Sequence, residues 1–424
     1  MEISTIRFSA RRAAILGALV LSLMLAINAR SAPNLKVLHN FGVTPGDGNL
    51  PSGPVLKDAA GNLYGMTSLG GAHNFGTVYR LSPTSTGNFT ETILYSFKGG
   101  SLDGALPQGP LFQDSADNLY GVTLAGGNNA TVCTASTPGC GVVFKLTPTA
   151  TGTWTETLLH RFAGSDGGNS YCGLVRDGLG NFYGATSVGG SRGLGTVYKL
   201  SFTSTGWKET VLHSFAGGTD GSEPLMFQTT LTLDGHGNIY GSTNHGGAAA
   251  SAGIVFELIP QTSGAYAEKI LYTFQGGAVG GNPLTGVSLD QSGNVYGGVL
   301  KGGTQAGSGA IFKLTAANGY AMTFVHDFNI FTDPAKSAPH RPFFFDTSGN
   351  LYGTTEYALY KLTPALGGFS ETVLWVWDGQ TLNGNGNTVY APAIMDSQGH
   401  FWGTTLWGGQ AGSLTGGVAW ELIP

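Results

Sequence analysis

Seven aspartates recur in this chain at the head of one short pattern, Asp-x-x-Gly-Asn-apolar-aromatic-Gly with small variations, and a carboxylate repeated so regularly is the first candidate for chemistry. The copies begin at Asp58, Asp114, Asp177, Asp234, Asp290, Asp346 and Asp396. Acids at such positions could act in general acid–base catalysis. The pattern, however, sits between two apolar segments, where Asp accepts backbone hydrogen bonds in a turn and Gly or Asn takes positive φ. The spacing assigns these aspartates to turn architecture.

A second candidate set is histidine. His39, His160, His213 and His326 occupy one position of another recurring segment, and Tyr95, Tyr272 and Trp375 fill that position elsewhere. Exchange with aromatic rings predicts half-buried packing. No His-x-His, His-Glu-x-x-His or Cys-x-x-Cys spacing occurs, so the sequence predicts neither a metal site nor a cofactor. A Gly-x-Ser-x-Gly elbow and a phosphate-binding glycine loop are missing too. The recurring Gly-Gly pairs belong to loops.

Two irregularities remain. Cys133 and Cys140 flank a turn-rich spacer, "TASTPG", which favours a local disulfide and leaves Cys172 over; Cys172 could also pair with either of them, so three pairings are compatible with the sequence. In the sixth repeat "GNLYGTT" runs through Glu356 and Tyr357 straight into "ALYKL", without the Gly-Gly loop of the other copies, and the preceding "FTDPAKSAPHRPFFF" is unlike any other segment. A shortened loop should leave a notch. Asp333, Lys336, His340, Arg341, Glu356 and Tyr357 are the expected ligand-binding residues around it.

The elements that must position these residues repeat with the aspartates, at spacings of 56, 63, 57, 56, 56 and 50 residues. A period near 50 with many short strands calls for a propeller or solenoid. Each repeat carries four strand-like segments rich in β-branched and aromatic residues and bounded by Gly, Asn, Asp and Pro. In the third copy they are Gly173 to Asp177, Asn181 to Ser187, Gly195 to Ser201 and Lys208 to Phe215, here named A to D. The fold class expected is all-β: a seven-bladed propeller of four-stranded blades. The last repeat ends after strand C at "VAWELIP", whereas "LKVLHNF" (Leu35 to Phe41) is a strand D with no A, B or C before it. That segment should complete the seventh blade and close the ring, covering an otherwise unpaired edge.

Composition agrees. The chain has 424 residues, 70 of them glycine, with 41% hydrophobic and 11% charged residues and a net charge of −5, which describes many tight turns and a weakly charged polar surface. No Lys/Arg run follows the first few dozen residues, so no nucleic-acid or anionic-membrane footprint is expected. Residues 1–32 are different: Arg7, Arg11 and Arg12 precede the apolar run Ala13 to Ile27, and Ala29 and Ser31 have signal-peptidase spacing. The expected organisation is a cleaved signal peptide over 1–32 and one propeller over 33–424, monomeric, free of the membrane after cleavage, and secreted or periplasmic. An oxidising compartment makes a disulfide reasonable.

The ordered elements "GNLYGxTxxGG", "GTVYKL" and "ETVLHSF" resemble the GloVer repeats of bacterial exported "choice-of-anchor" proteins over Leu35 to Pro424. That resemblance implies a secreted or envelope-associated β-propeller and brings no catalytic residues with it. The chain departs from many relatives in stopping at strand C, without a C-terminal sorting anchor. The Asp-x-x-Gly-Asn turn also resembles those of NHL-type propellers and streptogramin lyases, over the A–B hairpin alone.

In a four-stranded blade the D–A and B–C loops emerge on one face and the A–B and C–D turns on the other. The A–B turns are uniform and the D–A and B–C loops vary, which places binding on the variable face. The function expected is a non-catalytic exported propeller that binds or scaffolds a polysaccharide or protein partner at the cell envelope. The alternative is a carbohydrate-active hydrolase or lyase on the same face, for which Asp103, Asp166 and Asp220 are available acids.

Overall fold

Seven antiparallel sheets follow one another along the chain in the computed structural model. It describes residues 33–133, 138–224, 229–247, 251–277, 280–303, 309–329, 339, 341–377, 386, 388–389, 391–409 and 416–424. The expected leader, residues 1–32, lies outside the described residues.

Blade 3 shows the plan. Strand A (Val175–Arg176), B (Phe182–Thr186), C (Thr196–Thr203) and D (Gly206–Ser214) pair in sequence order. Strand A is a two-residue strand in most blades, so the regular sheet is carried by B, C and D. In blade 1 it is split into Gly48–Pro51 and Leu56–Lys57, which gives that sheet a fifth segment.

The seventh blade is assembled from both ends of the chain. Asn34–Asn40 pairs antiparallel with Val418–Ile423, from Asn34 opposite Ile423 to Asn40 opposite Val418, and Phe401–Thr405 and Ile394–Met395 complete the sheet. Its outer strand therefore precedes every other strand in sequence. Each of seven apolar clusters joins two neighbouring blades. The closing cluster combines Leu38, Phe41, Trp402 and Ala419 of blade 7 with Val55, Leu63, Tyr79 and Leu81 of blade 1.

One aromatic pair cements each junction. The last aromatic of each strand-D segment meets the strand-C aromatic of the next blade: Phe41 with Tyr79 at 4.9 Å, Phe162 with Tyr198 at 5.1 Å, Phe215 with Phe256 at 5.4 Å and Trp377 with Trp420 at 5.1 Å, for example. Such tilted and edge-on contacts contribute beyond the area they bury.

The glycine after each strand-B aromatic makes room for a side chain of its own blade. A Cβ on Gly184 would lie 2.4 Å from the Tyr198 hydroxyl, and one on Gly403 would lie 2.5 Å from the Trp420 ring. The missing side chain is the slot into which the strand-C ring of the same blade folds.

Candidate functional site

The recurring aspartates are consumed by the turns they begin. Asp177 accepts the backbone N–H of Leu179 and Asn181 at 2.9 Å each, the Asn181 side-chain amide at 2.8 Å and the Tyr183 hydroxyl at 3.0 Å. The same set recurs at Asp58, Asp114, Asp234, Asp290 and Asp346, and at Asp396 the indole Nε1 of Trp402 replaces the tyrosine. Burial opposes the charge on Asp396, but donation from Lys57, the His400 and Gln398 backbone and Trp402 outweighs it and pulls its pKa down to about 2. The strand-B aromatics pack between blades and also staple the A–B turn.

The D–A loops carry a second recurring arrangement, at the outer seam between blades. Every strand D holds a β-bulge, so that in blade 3 Val211 is opposite Tyr198 but His213 is opposite Val197. Without the bulge, Glu209 and His213, four residues apart, would share a face. With it, Glu209 looks back to blade 2 and His213 forward to blade 4. His39, His160 and His213 each meet an aspartate of their own D–A loop and the glutamate of the next blade, and His326 lies 3.2 Å from Glu371 of the next blade.

Among the described residues three such clusters form: His39, Asp47 and Glu91; His160, Asp166 and Glu209; His213, Asp220 and Glu268, with candidate ligand atoms in each within 4.8 Å of one another. His160 Nε2 lies 3.0 Å from Asp166, His213 Nε2 lies 3.0 Å from Asp220, and His39 Nε2 lies 3.5 Å from both Asp47 and Glu91. The second oxygen of each aspartate accepts a backbone N–H of its own loop, from Val43, Ala163 or Ala216. At the junction of blades 1 and 2 a tyrosine stands in the histidine position, and Tyr95 Oη lies 2.9 Å from both Asp103 and Glu156.

Burial shapes the acidity of these groups. Desolvation, then a hydrogen bond with Asp220 and its charge, pushes Glu268 up to about 9, and desolvation followed by the Asp103 charge pushes Glu156 up to about 8; desolvation likewise pushes Glu91 and Glu209 up to about 7, with the histidine opposing it and the neighbouring aspartate adding to it. For His39 burial works against the charged ring, but the Asp47 hydrogen bond and the charges of Glu91 and Asp47 prevail and hold its pKa above the ordinary histidine value. The histidines thus do more than pack. They also bridge carboxylates drawn from two blades, an arrangement that can share protons or hold a cation.

Sequence reasoning missed this set because the glutamate belongs to the following repeat. A signal existed in the spacing, since each strand-D histidine is followed by an aspartate 8, 6 or 7 residues on. Asp103, Asp166 and Asp220, the acids considered for hydrolysis, are distributed over three different junctions and do not converge on one another.

Of the residues expected around the sixth-blade notch, Asp333, Lys336 and His340 lie outside the described residues. Glu356 and Tyr357 are the centre of a tight turn in which Thr355 N–H donates to the Ala358 carbonyl at 2.8 Å, so the B–C loop is reduced to a hairpin. The Glu356 and Tyr357 carbonyls then accept from Val389 of blade 7 at 2.9 Å and from Trp377 at 2.7 Å. Partial burial, then the Glu356 charge and a hydrogen bond to it, raise the Tyr357 pKa. Arg341 sits at the start of the strand-A segment and is only 5% exposed.

In blade 2 the long B–C loop is closed by a Cys133–Cys140 disulfide, and Cys172 is a free, fully buried thiol whose pKa burial pushes up to about 12. A cleft of about 790 Å³ opens on the opposite, turn-bearing face between blades 5 and 6, where Tyr296, Phe345 and Phe369 line it beside Lys313, Asp290 and Asp346.

A family model described as the Gloeobacter/Verrucomicrobia repeat matches residues 26–135, 130–359 and 229–417. No curated protein matches the chain. Among solved structures, similarity extends to a gluconolactonase from Xanthomonas campestris, with 14% identity over 90% of this chain and 98% of that one and a TM-score of 0.43. A Trichoderma reesei carbohydrate-active enzyme of family AA12 is similar at 12% identity over 77% of this chain and 94% of that one, with a TM-score of 0.38. Neither likeness is close enough to bear on chemistry.

Proposed function

The chain belongs to the Gloeobacter/Verrucomicrobia repeat family, and from that premise we propose that it is an exported binding propeller whose D–A and B–C loop face holds a polysaccharide or protein partner at the cell envelope. The observation that carries this reading is the contrast between the two faces. The turn face repeats the same hydrogen-bonded Asp turn in every blade, whereas the loop face ranges from the Thr355–Ala358 hairpin of blade 6 to the disulfide-closed loop of blade 2. Variable loops on a rigid, repeated scaffold are where binding specificity is built. Export is supported by the apolar stretch after Arg12 and by the disulfide.

The binding residues belonging to this reading are Arg341, Glu356 and Tyr357, with Asp333, Lys336 and His340 from the same segment of sequence. A neutral polysaccharide is the favoured partner, because the chain has few charges and much Ser, Thr, Asn and Gly with which to meet hydroxyl groups. The test is a screen of the purified protein on immobilised glycans, followed by affinity measurement for the best ligand. Glu356→Gln and Tyr357→Ala should each weaken binding at least about tenfold, a loss near 1.4 kcal/mol. Unchanged affinity in both would remove the notch from the site. Capture of an envelope protein with no glycan binding would shift the partner class, and release of sugar products would replace the binding reading with an enzymatic one.

A further inference from the structure

We propose that the three His/Asp/Glu clusters at the outer seams are binding sites for a first-row divalent transition-metal ion of the Zn²⁺ class, each tying two neighbouring blades together. The sites are His39, Asp47 and Glu91 between blades 7 and 1; His160, Asp166 and Glu209 between blades 2 and 3; and His213, Asp220 and Glu268 between blades 3 and 4. Each offers one imidazole nitrogen and two carboxylates, with every candidate ligand atom within 4.8 Å of the others, a set that one small ion can span. One nitrogen with two oxygens suits an ion of intermediate softness. Calcium would ask for six or more oxygens, which the clusters do not supply.

The glutamates supply an independent observation. Oε1 of Glu91, Glu209 and Glu268 is buried and accepts no hydrogen bond; the same holds for Oε1 of Glu156 and Glu371 at two other seams, so it is the histidine and aspartate beside it that single out the three clusters. A buried carboxyl oxygen without a donor is unfavourable, and here it lies beside a second carboxyl group whose ionisation opposes its own. A bound cation answers both. The aspartates are already aimed, because the Val43, Ala163 and Ala216 N–H groups hold their other oxygens, the kind of outer contact that orients metal ligands. Partial exposure leaves a route for the ion, with His160 and Asp166 side chains 19% and 21% accessible. Three protein ligands leave a position for water.

The molecule contains its own contrast. At the junction of blades 1 and 2, Tyr95 takes the histidine position and its hydroxyl lies 2.9 Å from both Asp103 and Glu156, so this seam is held by hydrogen bonds and offers no nitrogen ligand.

The test uses the purified protein, stripped with a chelator and titrated with Zn²⁺ by calorimetry and with Co²⁺ by visible absorption. These clusters of the described residues should together account for three ions and give Co²⁺ the d–d absorption of a low-coordinate nitrogen–oxygen site. His39→Gln, His160→Gln and His213→Gln each keep a hydrogen-bond donor for the aspartate and should each remove one ion; the triple variant should bind three fewer than the parent. Tyr95→His should add one ion, a gain that impaired folding cannot mimic. No Zn²⁺ heat and no Co²⁺ band in the parent overturns the proposal, and so does undiminished stoichiometry in the triple variant.

Discussion

Removing the first strand should open the ring, and the structure sets the scale of the loss. Asn34–Asn40 is the whole outer strand of blade 7, six of its residues are paired with Val418–Ile423, and Leu38 and Phe41 are 8% and 1% exposed in the cluster that joins blade 7 to blade 1. Burial of Leu38 and Phe41 contributes roughly 1.5–3 kcal/mol each, and the ladder hydrogen bonds add about 1 kcal/mol each. A chain beginning after Phe41 should therefore lose on the order of 10 kcal/mol, comparable with the total stability of an ordinary domain. Phe41→Ala isolates one part of that loss, its apolar contact with Tyr79, and should cost about 3–5 kcal/mol.

Thermal unfolding by circular dichroism measures both. With an unfolding entropy of about 2.1 cal/mol/K per residue, each kcal/mol moves the Tm of a chain this long by about 1 °C, so Phe41→Ala should lower it by about 4 °C and the truncation by 10 °C or more. Hydrogen exchange locates the damage: Val418–Ile423 should lose protection first in the truncated chain. A truncated protein that melts with the parent and keeps those amides protected would refute the closure argument.

The glycine slots predict that Gly184→Ala, whose Cβ would meet the Tyr198 hydroxyl at 2.4 Å, destabilises by about 1–3 kcal/mol, whereas Gly178→Ala, with nothing within 4 Å, stays within about 0.5 kcal/mol; equal denaturation midpoints for the two would discard the slot. The junction carboxyls set a pH dependence in chelator-treated protein. Glu91, Glu156, Glu209 and Glu268 have folded pKa values raised to between about 7 and 9, so their stabilising contribution is complete below about pH 4.3, the ordinary glutamate value, and is lost as pH rises through the folded values. Melting temperature should fall between pH 5 and pH 9, and Glu→Gln at these positions should flatten that slope; a rise over the interval would contradict the burial. Asp396 behaves oppositely: its folded pKa is depressed to about 2, so its contribution is present above the ordinary aspartate value and is lost as pH falls through 2. Lys57→Met, which removes one of its donors, should raise the midpoint of acid unfolding. The Cys133–Cys140 bond, spanning 7 residues, should contribute roughly 2 kcal/mol, and its reduction should make the blade 2 loop more readily cleaved by protease without separating the blades.

The repeat itself fixed the blade number, the strand order and the closure by the first strand, because these depend on hydrophobic alternation and turn residues that each copy carries within itself. The reading of Asp58 and its six counterparts as turn residues needed only local spacing, since their turn partners lie two to six positions along the chain; the Lys57 donor of Asp396, 339 residues away, was not readable in that way. What only the tertiary structure decided is the seam chemistry. His213 meets Glu268 across two blades, and it points that way because the strand-D bulge turns it from the face that Glu209 occupies. A bulge of one residue leaves no mark in the periodicity of a seven-residue strand. Contacts between consecutive repeats likewise cannot be read from a single repeat. The local interactions wrote the ring into the sequence, and the packing of one blade on the next created the clusters that the ring now holds.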